Sequence, residues 1–410
     1  MKPSRSILLI YTAAWLRSFG IGLLGVVLGV FLYREGLSSS QIGFVIAAGL
    51  AGAAFATIFV TLRADHLGRR QTLFGLSLLT AAGAVPLILN FKFSALLPLA
   101  FVGMLNGMGT DRSASFALEQ AILPGLVSSK RRTWSLSWYN VVLDSSGALG
   151  ALAAGIPVLA QKLWGVDLIG SYRILFVGYA LLNLLSGALY LALPSEVEIA
   201  STGLLGVQQS AVSTETKSVV IRLSGLFALD SLGGGLLTDA LVSYWFFRRF
   251  GIAESRLGLL FFVVHLLNAL SHLGAAFIAR RIGLVKTMVF THLPSSLFLM
   301  AVPFVPSTSW AVLFFLLRES LVEMDVPTRQ SYVAAMVGPT ERTFASGVTN
   351  LTRNLSWAVA SSIAGVLMQF AFSAPLLIGG GLKVTYDLLL YRAFRHVVPP
   401  EEKSEQSVSS

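Results

Sequence analysis

The sequence predicts an all-α membrane protein, a bundle of twelve transmembrane helices in two pseudo-symmetric halves of six. Three observations carry this. First, 55% of the 410 residues are hydrophobic and only 12% charged, with a mean hydropathy of +0.74. Soluble domains carry about 25% charged residues. The polar surface here is too small to cover a water-exposed globule, so the bilayer must be the solvent for most of the chain. Second, apolar stretches of helix-spanning length recur twelve times. Third, the chain repeats itself. Glu119-Gln120 stands where Arg329-Gln330 stands 210 positions later; Arg132-Thr133 matches Arg342-Thr343, Asn140 matches Asn350, and Ala154-Gly155 matches Ala364-Gly365.

Composition also excludes. The chain has no cysteine, so disulfides, thiol catalysis and thiolate metal sites are ruled out. A net charge of +10 would suggest nucleic acid in a soluble protein; here the placement of the charges matters more than their sum. The apolar run behind the basic N-terminus is longer than a signal-peptide core and is expected to stay as a spanning helix.

In chain order, the N-terminal half (1–194) holds spans at 7–33, 41–62, 72–91, 95–119, 134–161 and 171–194. A polar stretch, 195–217, has no long apolar run and reads as a cytoplasmic linker. The C-terminal half (218–395) holds spans at 218–247, 255–279, 287–305, 309–333, 344–371 and 374–395, followed by a polar tail, 396–410. With both termini inside, 17 Lys and Arg residues fall on the cytoplasmic side against 7 opposite. This bias is the positive-inside pattern, and it places both termini in the cytoplasm.

The repeat extends beyond the charged stretch. Ala64 to Thr72 compares with Ala279 to Thr287, aligning Gly68 with Gly283. Leu16 to Leu24 compares with Leu229 to Leu237, aligning Arg17 with Asp230. Parallel six-helix halves are a transporter architecture, with the substrate site between them near the midplane.

The loop after the second span, Thr61 to Leu73, reads TLRADHLGRRQTL. It resembles the signature loop of the major facilitator superfamily in Ala64, Asp65, Gly68, Arg69, Arg70 and Leu73, and departs from it at Thr61, Arg63 and His66. With twelve spans, the six-plus-six repeat and a weaker second copy at Arg280 to Lys286, the resemblance covers essentially the whole chain. It implies secondary transport of a small molecule by alternating access. It also implies that Asp65, Gly68, Arg69 and Arg70 latch the two halves on the cytoplasmic side. Gly68 permits the tight turn, and Asp65 can accept from free backbone N–H groups or pair with Arg70. The segments GMGTDRSASFALEQAIL and MDVPTRQSY resemble a branch without an assigned substrate.

An ionisable side chain deep in a span costs roughly 2.5–3.5 kcal/mol or more and marks a functional position with a partner. The superfamily resemblance implies that spans 1, 4, 7 and 10 line the cavity, and the deep charges fall mainly there. Arg17 lies on span 1, Asp111 and Arg112 on span 4, Asp230 and Asp239 on span 7. Arg318, Glu319, Glu323 and Asp325 lie on span 10, with Arg329 near its inner end. At about 100° per residue, Arg318, Asp325 and Arg329 share one face, and Asp325 and Arg329 form an i,i+4 pair. Glu319 and Glu323 form a like-charged stripe that cannot cheaply carry two charges, the property a proton carrier needs. Pro327 is expected to interrupt the inner third of span 10. Arg112 and Glu119 share a face. Lys383 and Asp387, i,i+4 on span 12, are expected to pair with each other structurally. Arg17 and Asp230, at matching places in the two copies, are expected to compensate one another directly or through a bound solute. His265 and His272 share a face without nearby acidic ligands, so no metal site is expected.

The glycines of Gly20-x-Gly22-x-x-Gly25, Gly103-x-x-x-Gly107 and Gly233-Gly234-Gly235 permit close helix packing; none belongs to a nucleotide-binding loop. Gly147-x-x-Gly150-x-x-x-x-Gly155-x-Pro157 is similar to the superfamily's antiporter motif, with Ile156 separating the Gly and Pro. The expectation is a monomeric, proton-coupled exporter of the cell membrane. Its partners are a small-molecule substrate, protons and the lipid bilayer, without nucleic acid, cofactor or enzymatic activity. Proton-coupled uptake of a charged metabolite and a non-transporting membrane sensor are the alternatives.

Overall fold

The computed structural model describes residues 5–89, 91–111, 113–127, 132–198, 213–337 and 342–395, and among them no strand occurs. Among the described residues, eight helical stretches are long and apolar enough to cross a membrane: Arg5–Arg34, Ser39–Val60, Arg69–Ile88, Trp138–Trp164, Leu168–Leu191, Thr216–Phe250, Glu254–Ala279 and Leu284–Phe304. The four remaining expected spans fall outside that set for a physical reason. Those near 95–119 and 309–333 are interrupted, and those near 344–371 and 374–395 carry polar or charged residues.

Packing divides the chain into two compact units. The first comprises Met1–Val207 with Thr238–His265 and Ser361–Gln369; the second comprises Gln208–Leu237, Leu266–Ala360 and Phe370–Ser410. Two stretches from the C-terminal half of the sequence thus belong to the first unit.

In the first unit, α1 (Arg5–Arg34) is buried on nearly all sides. Its small residues permit that burial, because they let neighbouring helices approach closely. Its glycines set the packing distances. A Cβ on Gly22 would lie 2.0 Å from the Gly147 carbonyl oxygen of α7 (Arg132–Leu152), and one on Gly29 2.2 Å from the Ala240 oxygen of α11 (Asp239–Phe250). The hydroxyl of Ser243 on α11 donates to the Val26 oxygen of α1 at 2.7 Å. Helix α2 (Ser39–Leu67) opens on a capping box made by Ser38 and Gln41. α3 (Arg69–Ala82) is followed by the short α4 (Val85–Ile88).

The fourth apolar segment is discontinuous. α5 (Phe93–Val102) ends at Gly103, and α6 (Ala114–Ile122) begins after an irregular stretch, with Ser113 capping it. Asn106 organises this stretch: its Nδ2 donates to the Thr110 oxygen at 2.9 Å and its Oδ1 accepts from the Met108 N–H at 2.8 Å. α7 runs through a 3-10 turn at Ala153–Gly155 into α8 (Ile156–Trp164), and α9 (Leu168–Leu191) starts at an Asp167 cap.

In the second unit lie α10 (Thr214–Gly235) and α13 (Leu284–Ala301), with α14 (Thr308–Val322), α15 (Asp325–Met336) and α17 (Ala374–Phe394). α12 (Glu254–Ile282) and α16 (Arg342–Phe370) each run from one unit into the other. The core of this unit contains Leu223, Phe227, Met288, Tyr332, Tyr386 and Leu390. The interruption expected near Pro327 falls at Glu323-Met324, and Pro327 lies in the first turn of α15, where a helix has no partner for an N–H.

The duplication is visible in the backbone. Gly68 between α2 and α3 has φ +91°, and its counterpart Gly283 between α12 and α13 has φ +85°. α6 and α15 begin at Ala114 and Asp325, equivalent positions within one residue.

Candidate buried charge clusters

Each unit contains a cluster of ionised side chains hidden from solvent. In the first, α1 delivers Arg17 to two carboxylates on either side of the α6 start. Arg17 Nε donates to Asp111 Oδ2 at 2.9 Å, and Nη2 lies 2.8 Å from the same oxygen. Nη2 and Nη1 also donate to Glu119 Oε2 at 2.5 Å and Oε1 at 3.3 Å. Glu119 is 0% exposed, and hydroxyls complete its shell: Tyr139 from α7 and Tyr190 from α9 each donate at 2.6 Å. Asp111 Oδ1 accepts the Ser113 N–H at 3.0 Å. A small hollow beside this cluster is lined by Arg17, Thr80, Asn106, Ser113 and Tyr179.

In the second unit the partners reverse. Asp230 on α10 accepts from Arg329 on α15 at 3.2 Å and from Lys383 on α17 at 2.8 Å. Arg329 also donates to Asp325 at 2.6 Å, the i,i+4 pair read from the sequence. Arg17 aligns with Asp230 and Glu119 with Arg329, so the two units hold one ion pair at equivalent positions with its signs exchanged.

Arg17 and Asp230 each have opposite charges inside their own unit. The geometry corrects one expectation: Lys383 and Asp387 do not pair. Lys383 reaches Asp230, whereas Asp387 meets His292 on α13, whose Nδ1 is 3.0 Å from both carboxylate oxygens. His292 was missed because a single histidine in an apolar run leaves no periodic signal.

Arg318 and Glu319 pair with one another on α14. Glu323 caps the C-terminus of that helix. Asp239 opens α11, with its carboxylate 3.4 Å from His265 Nε2 and against Gly109. Arg353 Nε donates to the Ser231 hydroxyl at 3.2 Å, and its guanidinium lies over the Trp357 ring. Arg112 lies outside the described residues, as does the Asp65 side chain.

In the signature loop, Gly68 makes the expected turn, and the first N–H groups of α3 are capped by a residue the sequence did not single out. Glu198 accepts from the Arg69 N–H at 2.6 Å and the Arg70 N–H at 3.1 Å. A carboxylate is favourable at a helix N-terminus. The Arg70 guanidinium donates to the Leu191 oxygen at 2.6 Å and that of Arg69 to the Val197 oxygen at 3.4 Å. A further ionic contact in the first unit joins Arg34 to Glu254 at 2.5 Å, with Tyr172 donating to the same oxygen at 2.5 Å.

The sequence profile of the Major Facilitator Superfamily matches residues 10–317 and 223–409. The chain belongs to the Major Facilitator Superfamily. This Major Facilitator protein is therefore an integral membrane protein, and its family is one of transporters rather than enzymes. It is 27% identical over 421 residues to the uncharacterized membrane protein YJR124C of Saccharomyces cerevisiae, across 94% of this chain and 93% of that protein. Its fold is that of the nucleoside transporter NupG, crystallised in a mutant form, with TM-score 0.74 and 14% identity over 95% of this chain and 99% of that one. The D-xylose-proton symporter gives TM-score 0.73 at 14% identity over 96% and 98% of the two chains. At such identities these structures support the shared fold alone.

Proposed function

We propose that this protein is a proton-coupled secondary active transporter that exports a small solute from the cell by alternating access. The observation that carries the reading is the sign-exchanged ion pair, Arg17–Glu119 and Asp230–Arg329, buried next to an interrupted helix in each unit. Replacing a buried ion pair by well-packed apolar residues is often neutral or stabilising by about 1–4 kcal/mol. A bundle that only needed to hold together would not require charges at both copies. Interrupted helices free backbone groups at membrane depth, and such groups hold solutes and coupling ions in transporters.

On this reading the eight apolar spans and the four interrupted or charged segments make twelve crossings. The bundles are 1–194 and 218–395, joined by a cytoplasmic linker at 195–217 and ending in a cytoplasmic tail at 396–410. Both termini are cytoplasmic, the protein works as a monomer in the cell membrane, and the Asp65 to Arg70 loop latches its inner side. Arg17, Asp111, Arg112, Asp230, Asp239, Arg318, Glu319, Glu323 and Asp325 form the substrate and proton pathway. The span-5 glycines resembling the antiporter motif favour export. The mixed signs of the clusters favour uptake of a charged metabolite as the second reading.

The test begins with a thermal-shift screen of purified protein against charged metabolites and drugs, because a ligand that binds the folded state alone raises stability. A stabilising compound is then followed in liposomes under an imposed proton gradient. The expected result is movement against its own gradient that collapses with a protonophore. Movement indifferent to the proton gradient would overturn coupling, and binding without any movement would favour a sensor.

A further inference from the structure

His292 is a member of the second cluster that the pathway above does not use. It is 1% exposed on α13, between Asp387 and Lys383 of α17. Its Nδ1 faces both Asp387 oxygens at 3.0 Å, and its Nε2 is 3.3 Å from Lys383 Nζ. The Tyr386 ring stands edge-on to the imidazole at 5.9 Å. Lys383 donates to Asp230 Oδ1 at 2.8 Å, and that same oxygen lies 3.7 Å from His292 Nε2.

An ammonium only donates. A Lys383 ammonium donating to Nε2 requires the tautomer with its proton on Nδ1, donated to Asp387. One position for a further proton remains, on Nε2. A proton from water that forms the Nε2–H bond turns this acceptor into a donor facing an ammonium at 3.3 Å. Asp230 Oδ1 is then the nearest acceptor for it, and imidazolium and ammonium compete for one oxygen.

We propose that His292 is a proton-carrying site whose loading displaces Lys383 from Asp230, linking proton uptake to the ion pair between α10 and α15. This rests on the proton-coupled reading above. The charges of the surrounding elements support it. Asp230 on α10, Glu323 after α14, Asp325 on α15 and Asp387 on α17 are the acidic groups. Arg329 on α15, Arg353 on α16 and Lys383 on α17 are the cations. Arg318 and Glu319 on α14 cancel one another. Four acidic side chains thus face three basic ones around His292, so one bound proton evens the count. A net charge away from water is the expensive state, so the cluster accommodates one proton without replacing any residue.

The test is 15N NMR of the full-length protein labelled at its five histidines, in lipid nanodiscs, across pH. His292→Gln assigns the resonance. The expected wild-type signal is the Nδ1-protonated imidazole at high pH, converting to imidazolium as pH falls. At a fixed pH within that transition, the imidazolium-to-imidazole ratio falls roughly tenfold in Asp387→Asn and rises roughly tenfold in Lys383→Gln, because one removes an anion and the other a cation. A His292 that stays neutral over the whole range in which wild-type protein is folded overturns the proposal, as does a ratio that moves the same way in both variants. The wild-type titration decides the first point even if a variant fails to fold. Gradient-driven movement in liposomes is read separately. Coupled movement beside a silent His292 overturns this site alone, and a titrating His292 beside uncoupled movement overturns the carrier role through the coupling itself.

Discussion

Removing the Arg17 guanidinium tests the first cluster most directly. Arg17→Met keeps an apolar stem and deletes the charge. Asp111 then loses contacts at 2.9 and 2.8 Å, and Glu119 loses contacts at 2.5 and 3.3 Å. Asp111 keeps the Ser113 N–H, and Glu119 keeps the hydroxyls of Tyr139 and Tyr190. Two buried carboxylates remain without the guanidinium that held them, and breaking a buried pair from one side costs about 3–5 kcal/mol. Glu119→Gln leaves Arg17 bonded to Asp111 and is expected to cost on the order of 2 kcal/mol, the scale of hydrogen bonds to a charged group. The double variant removes both charges of the pair, so its loss should fall short of the sum of the singles by about 1–3 kcal/mol. The exchange Arg17→Glu with Glu119→Arg gives the first unit the sign order of the second. It should recover only part of the loss, because Asp111 would face an anion at position 17. The assay is graded unfolding of purified protein in mixed micelles, followed by tryptophan fluorescence. Strict additivity, or a loss under about 1 kcal/mol for Arg17→Met, would refute a mutually dependent buried pair.

Three further outcomes follow from particular contacts. Arg329→Met should destabilise less than Arg17→Met in the same assay, because it strips Asp325 of its guanidinium but leaves Asp230 with Lys383 at 2.8 Å; an equal or greater loss would mean that Lys383 does not compensate. Gly22→Ala should reduce the yield of folded protein severely, since the new Cβ would meet the Gly147 backbone at 2.0 Å, whereas Gly178→Ala in α9 meets nothing within 4 Å and should gain about 0.5–1 kcal/mol from helix propensity; equal yields would contradict the α1–α7 packing. Glu198→Ala should speed hydrogen exchange of the Arg69 and Arg70 amides and cost about 1 kcal/mol, the usual effect of losing a helix N-cap; unchanged exchange would remove Glu198 as the cap.

Much of the fold was legible because its signals are local. The turn at Gly68 and the interruption before Pro327 rest on backbone rules that act within a few residues. The Asp325–Arg329 contact follows from helical spacing alone. The same spacing misled for Lys383 and Asp387, because i,i+4 geometry only permits a pair. Each side chain found a stronger partner on another helix, Asp230 on α10 and His292 on α13. Glu198 lay in a polar stretch where an acidic residue looks like any other solvated charge.

By itself the sequence determined that the bilayer is the solvent, that the chain is duplicated, and where much of the buried charge lies. These follow from composition and from periodicity along the chain, which need no knowledge of neighbours. Only the tertiary structure decided how those charges are satisfied. Arg17 and Asp230 look like natural partners in an alignment, yet each meets an opposite charge within its own unit. The physical reason is range. In a medium of low dielectric a charge is stabilised by hydrogen-bonded partners at contact distance. Helix periodicity tells which face a residue occupies, whereas the helix lying against that face is set by packing between segments far apart in the chain.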